Sequence, residues 1–279
     1  MSGRRSGGAR LLASPSALIG LAGIAAIVLL AALAPLLPLS DPLAQQPYGT
    51  LAGPSLASWL GTDNQGRDVL SRVIFGAQTS LLISLVSIGL AMVLGTLLGV
   101  VAGYYRGYAE VAIMRVADSL MAFPSLILGV AIMAILGSGT EKVILCLTIV
   151  MTPRFVRIAY GSAMAVRVKE YIEAAQAVSA PFHRILAVHI VPNIFSEILV
   201  VAILWIGTAI QVEASLSFIG IGVSPPTPTW GNMIKSGLDY LPIAPWMALA
   251  PSAAIFLTIV FFNLVGDSIR DVVDPRHYG

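Results

Sequence analysis

The 279-residue chain is 57% hydrophobic and 11% charged, against about 25% charged residues in an ordinary soluble domain, so its composition excludes a soluble fold and places it in lipid. A formal net charge of +2 is too small to argue for a nucleic-acid partner, and three His and one Cys do not suggest a metal site. Cys146 stands alone in an apolar run, which excludes an intrachain disulfide and leaves it as a small core residue.

A spanning helix needs about 20 mainly apolar residues, and about six windows qualify. After a basic tail over residues 1–16, the first covers 17–39 without a charge. Arg4, Arg5 and Arg10 precede it as in a secretory signal, but its apolar stretch exceeds the roughly 7–15 residues of a signal core, so a retained anchor is expected. Residues 40–78 form a loop rich in Pro, Gly and Ser. The second window runs from Thr79 to Tyr105, and the third from Ser119 to Gly139 with a kink expected at Pro124. The fourth, Val143 to Ser162, carries Arg154 and Arg157 towards one end. The fifth spans Ile194 to Phe218, with Glu197 and Glu213 near its ends. Ile243 to Gly266 is the sixth, and a solvated tail, 267–279, holds Asp267, Arg270, Asp271 and Asp274. The domain from 79 to 266 thus holds five helices.

Basic residues orient these spans. With the N-terminus in the cytoplasm, that side collects Arg4, Arg5, Arg10, Arg106, Arg115, Arg154, Arg157, Arg167, Lys169, Arg184, Arg270 and Arg276. The outer side receives only Arg67, Arg72, Lys142 and Lys235. Positive-inside asymmetry therefore predicts both termini in the cytoplasm.

The polar block from Glu170 to Asn193, within a loop over 167–193, lies on that same side. Tyr171 to Val178 is free of helix breakers and rich in Ala and Glu. Ser179-Ala180-Pro181 interrupts it, and Phe182, Ile185, Leu186 and His189 then recur at helical spacing, ending before Pro192. Two short helices joined at a bend have the shape of a docking element. Glu173 can pair weakly with Lys169 on one helix face.

Elsewhere, Gly95, Gly99 and Gly103 make a small-residue ladder that predicts close helix packing. Asp63-Asn64 with Gly66 hints at a calcium loop, yet Gln65 and Arg67 occupy the positions where oxygen donors belong. A polar turn with Arg67 and Asp68 available to pair is expected instead, and Arg115 and Asp118 are spaced to pair on a helix. Pro225, Pro226 and Pro228 bend the chain, with Trp230 expected at the membrane interface. No GxxxxGK[ST], Gly-x-Ser-x-Gly or His-Glu-x-x-His pattern occurs. Energy must therefore come from another polypeptide.

Glu173, Ala174 and Ala175, with Pro192 and Asn193 closing the block, resemble the EAA loop of importer-type ABC permeases. The family has Gly where this chain has Ser179, which either takes a left-handed cap at a cost on the order of 1 kcal/mol or acts as N-cap of the second segment. Gly61, Thr62, Asp63, Gly66, Arg67, Asp68, Ser71, Arg72 and Gly76 resemble the signature of the C-type subunit of dipeptide, oligopeptide and nickel importers. Met114-Arg115 through Asp118 to Ala122-Phe123-Pro124, and Glu213 through Gly222 into the Pro-rich turn, are similar to the same family.

The resemblance implies an all-α type I (MetI-like) permease with a cytoplasmic EAA coupling helix. Its coupling residues would be Glu170, Glu173, Ala174, Ala175, Ser179, Arg184, His189, Pro192 and Asn193, with no catalytic, metal or cofactor residue. Glu213 would be structural, at a helix end or subunit contact. Implied partners are a homologous B-type permease, two ATPase subunits or one fused ATPase carrying ATP and Mg, an extracytoplasmic substrate-binding protein, and membrane lipid. A secondary transporter driven by an ion gradient is the rival reading, and the charge-free centres of the first, second, third and sixth spans argue against it.

Overall fold

The computed structural model describes residues 14–47 and 49–273; Arg4, Arg5, Arg10, Asp274 and Arg276, called as tail residues above, lie outside the described residues. Helix α1 runs Pro15–Leu33. Proline suits its first turn, where no N–H is required, and a tight turn at Ala34–Leu36 ends it short of Leu39. Helix α2, Val69–Tyr105, has 37 residues and starts well before Thr79. The reason is Asp68, whose side chain accepts from the Ser71 N–H at 2.8 Å and caps the helix.

The expected kink at Pro124 is a full break. Helices α3, Gly107–Met121, and α4, Ser125–Leu136, meet at 98°. Proline lacks an N–H and pushes the preceding residue out of the helical region. Helix α5 covers Thr140–Arg167 and tolerates Pro153 inside it. Helix α6, Glu170–Ala177, and the single turn α7, Phe182–Arg184, are followed by a π turn at Ile185–Ile190. Helix α8, Val191–Ile219, continues directly from that turn, so the chain does not stop before Pro192. Pro192 falls in the first turn of the new register, where its missing N–H has no cost. Helices α9, Trp230–Leu238, and α10, Trp246–Val273, complete the order.

Among the described residues five helices are long and apolar enough to cross a membrane, or six if the bent α3–α4 pair counts as one span. The only β pairing described is two isolated antiparallel bridges, Gln45 with Arg67 and Thr62 with Asp68. Ser16 and Ser268 hydroxyls lie 3.2 Å apart, so α1 and α10 run antiparallel and both described chain ends lie at one end of the bundle. Helix α10 also runs antiparallel to α8, with Gly207 facing Ile259 and Gly266 facing Leu204. The 170–193 loop therefore shares an end with residues 14 and 273, and the Thr62–Arg72 region occupies the other.

Helices α2 and α5 pack through the glycine ladder. A Cβ on Gly95 would lie 2.4 Å from the Phe155 Cβ, one on Gly99 2.4 Å from the Val156 carbonyl, and one on Gly103 3.0 Å from the Ala163 Cβ. The core beside this pair is built from Leu147, Met151 and Phe155 of α5 with Ile210 and Leu216 of α8, all fully buried. Leu82, Leu85, Leu90, Val93 and Leu97 leave the opposite face of α2 apolar and exposed, as a surface facing lipid or another membrane subunit requires.

Candidate functional site

The Glu170–Asn193 loop is held from below by apolar anchors. Ile172, Ile185 and Ile190 are all fully buried, one in α6 and two in the π turn. A π turn widens the helix by one residue and is common at functional positions; here it keeps Ile185 and Ile190 both inward. Asn193 Nδ2 donates to the His189 carbonyl at 2.6 Å, and the Tyr171 and His189 rings approach to 6.1 Å.

At the bend, Ser179 has φ +55°. Its N–H donates to the Gln176 carbonyl at 2.9 Å and the Ala180 N–H to the Ala175 carbonyl at 3.0 Å. That is a left-handed C-terminal cap on α6. The N-cap alternative does not hold: Pro181 precedes α7, and no side chain caps it. Serine thus adopts the conformation that glycine would adopt without steric cost.

The outward face of the loop is polar and unpaired. Glu170, Glu173, Ala174, Ser179, His183, Arg184 and Pro192 are exposed, and so is the apolar Val178. Among the described residues neither Glu170, Glu173, Lys169 nor Arg184 makes an ion pair, so the expected Lys169–Glu173 contact is absent. Lys169 instead precedes α6 as its N-cap residue in extended conformation. Glu173 borders a cavity of about 270 Å³ together with Arg106, Arg167 and Gln176, between the ends of α2 and α5 and the loop.

At the far end, Asp63 closes a buried polar knot. Its Oδ1 accepts from the Gln65 and Arg67 N–H groups at 2.8 and 2.9 Å, and its Oδ2 from Arg67 Nε at 2.7 Å. Arg72 Nε lies 3.4 Å from the same oxygen, and Arg72 also donates to the Pro42 carbonyl at 3.0 Å. Arg67 therefore pairs with Asp63, not with Asp68, because the turn at Asn64–Gly66 folds the chain back and Asp68 is occupied. Asp68 accepts from Ser58 Oγ at 2.6 Å and from Ser71. Trp246 Nε1 donates to the Thr62 carbonyl at 3.2 Å, tying the knot to α10. Gly61, at φ +70°, has no room for a side chain: a Cβ would sit 2.6 Å from the Ala52 carbonyl.

Three further residues named from the sequence find their places. Trp230 is buried within the subunit: its Nε1 donates to the Val73 carbonyl at 3.0 Å and its ring packs over Gly76, which leaves the space free. Asp118 pairs with Arg157 of α5, not with Arg115 on its own helix. Glu213 is fully buried within the subunit and joins α2 to α8, accepting from Ser80 Oγ at 3.0 Å and Ser217 Oγ at 2.8 Å.

Compared with known proteins, residues 95–277 match the family described as binding-protein-dependent transport system inner membrane component. Residues 7–54 match the N-terminal transmembrane domain of oligopeptide transport permease C. The chain belongs to this permease family. It is 44% identical over 224 residues to the glutathione transport system permease protein GsiD of Pectobacterium atrosepticum, covering 80% of this chain and 74% of that protein. It is 39% identical over 230 residues to the dipeptide transport system permease protein DppC of Alkalihalophilus pseudofirmus, covering 82% and 76%. The inward-facing MetNI methionine ABC transporter superposes with a TM-score of 0.60 at 17% identity, over 74% of this chain and 98% of that one. That likeness shows a MetI-like fold for the permease. It is a multi-pass membrane protein and a permease subunit of a transport system.

Proposed function

We propose that this permease is the C-type membrane subunit of an ATP-driven importer for dipeptides, oligopeptides or peptide-like substrates such as glutathione. A homologous B-type permease supplies the other half of the path. ATP and Mg bind on separate or fused ATPase subunits, and an extracytoplasmic binding protein delivers the substrate. The Glu170–Asn193 loop and both termini face the cytoplasm of the cell membrane. The observation that carries this reading is the exposed, unpaired face of the loop, from Glu170 to Arg184, standing on a buried isoleucine base. A charged face so placed is built to meet a protein, and the motor in this family is a separate polypeptide.

Single cysteines test the orientation in a Cys146→Ser background. Positions within 40–78 and 224–239 are expected to react with an impermeant thiol reagent added outside intact cells, and positions within 170–193 only after permeabilisation. Labelling of 170–193 from outside overturns the topology. Uptake of radiolabelled dipeptide and glutathione, with and without the partner subunits, tests the dependence: transport by this chain alone overturns the assignment.

A further inference from the structure

Both legs of the loop converge on one point of α2. Its last two residues, Tyr104 and Tyr105, stand edge to face with centroids 5.3 Å apart. Phe182, the first residue after the bend, closes the cluster at 4.9 Å from Tyr104 and 4.7 Å from Tyr105. From the other leg, Gln176 Nε2 donates to the Tyr104 hydroxyl at 3.4 Å. Ring clusters of this size attract in tilted and edge-to-face geometry, beyond the area they bury.

Directly after the cluster the backbone turns left-handed, with φ +56° at Arg106 and +63° at Gly107, so α2 ends there and α3 begins as a separate body. The other end of α2 is capped by Asp68 in the knot. Between them run 37 residues of unbroken helix, about 55 Å at 1.5 Å per residue.

We infer that the Tyr104–Tyr105–Phe182 cluster is the linkage by which displacement of the loop is passed to α2, and along it to the knot. The inference rests on the proposed ATPase contact of the loop. Covalent continuity carries the loop's motion into α5 and α8 at its two ends, and the glycine ladder couples α5 to α2 along their length; the rings add a direct contact from the loop's second leg to the end of α2. Tyr104, Tyr105 and Phe182 are thus positioning residues.

The test uses the whole complex, freed of other cysteines and reconstituted in proteoliposomes. Spin labels are placed at exposed Val178 in the loop or Leu82 on α2, each measured against Leu257 on α10. In the wild type, ATP with vanadate is expected to shift both distances. In Tyr104→Ala/Tyr105→Ala the loop shift persists and the α2 shift falls below that of the wild type, and substrate carried per ATP falls by roughly tenfold, within the usual span of coupling between sites. Tyr104→Phe/Tyr105→Phe, which keeps the rings, restores both. A Val178 label that never moves removes the ATPase contact itself. A Val178 label that moves while Leu82 stays still in the wild type, or moves equally in the alanine variant, overturns the linkage alone. If the double variant does not assemble, Phe182→Ala is read in the same way, and failure of both to assemble makes the rings a folding element and overturns the proposal.

Discussion

Asp63 and Glu173 are single carboxylates in polar segments at opposite ends of one bundle, and they are treated in opposite ways. Asp63 is buried, with two backbone N–H groups and two guanidiniums arranged around it. Glu173 is exposed and makes no ion pair among the described residues. A buried charge must be matched inside its own chain, because removal from water has a large cost. An exposed one can be left for a partner to match. The knot therefore secures the start of α2, and the loop offers a surface.

The contrast breaks first at the knot. Asp63→Ala strands two buried guanidiniums and is expected to destabilise the permease by about 3–5 kcal/mol, read as loss of folded protein in membranes and a lowered unfolding midpoint in detergent. A tolerated Asp63→Ala would make the knot ornamental. The next effect lies between the ends. Gly99→Val, which has no room against the Val156 carbonyl, is expected to cost about 1–3 kcal/mol through overpacking. Gly161→Ala, with nothing near its Cβ position, is expected to gain about 0.5–1 kcal/mol as a helical substitution. Equal unfolding midpoints for the two would deny that the ladder sets the α2–α5 distance.

At the bend the changes are smaller. Ser179→Gly relieves the left-handed serine and is expected to stabilise by up to about 1 kcal/mol, with coupled ATP hydrolysis retained. Ala should fall below Gly and Val below both, since a β-branched residue resists positive φ. A Val variant that behaves like wild type removes the bend as a shaped element. Glu173→Arg closes the series: an exposed, unpaired site is expected to change stability by no more than about 0.5 kcal/mol, while substrate-stimulated ATP hydrolysis is lost. Normal transport by that variant takes Glu173 out of the mechanism.

Much of this plan can be read from the chain, and the failures share a cause. Apolar windows locate the spans, but they start α2 at Thr79 because Arg72 looks like a boundary; in the folded chain Arg72 is paired with Asp63 inside the knot, Asp68 caps the helix, and α2 begins at Val69. Sequence spacing marks Arg67 and Asp118 as groups able to pair nearby, whereas Arg67 meets Asp63 across a reversed turn and Asp118 meets Arg157 on a different helix. Local spacing cannot reveal a tertiary partner. The rule for interfacial tryptophan gives no sign that the absent side chain of Gly76, far away in sequence, opens a buried place for Trp230. The bend at Ser179 was visible as a departure from the family's glycine, but the π turn that keeps Ile185 and Ile190 inward leaves no mark in the residue pattern.

The break between α3 and α4 carries a consequence for solvation. With 15 and 12 residues, the two arms reach only about 22 and 18 Å, each short of the roughly 30 Å hydrocarbon layer. Where the pair crosses as one span, the corner at Ala122–Pro124 falls at depth inside the membrane, where the last carbonyls of one arm and the first N–H groups of the other lack helical partners. Acyl chains offer nothing to such groups, and irregular backbone survives at that depth only against protein or beside water. The exposed Phe123 marks the same corner. A pair that crosses in this way needs this side of the subunit turned away from lipid, so the corner tells a wet or protein-covered wall from a greasy one.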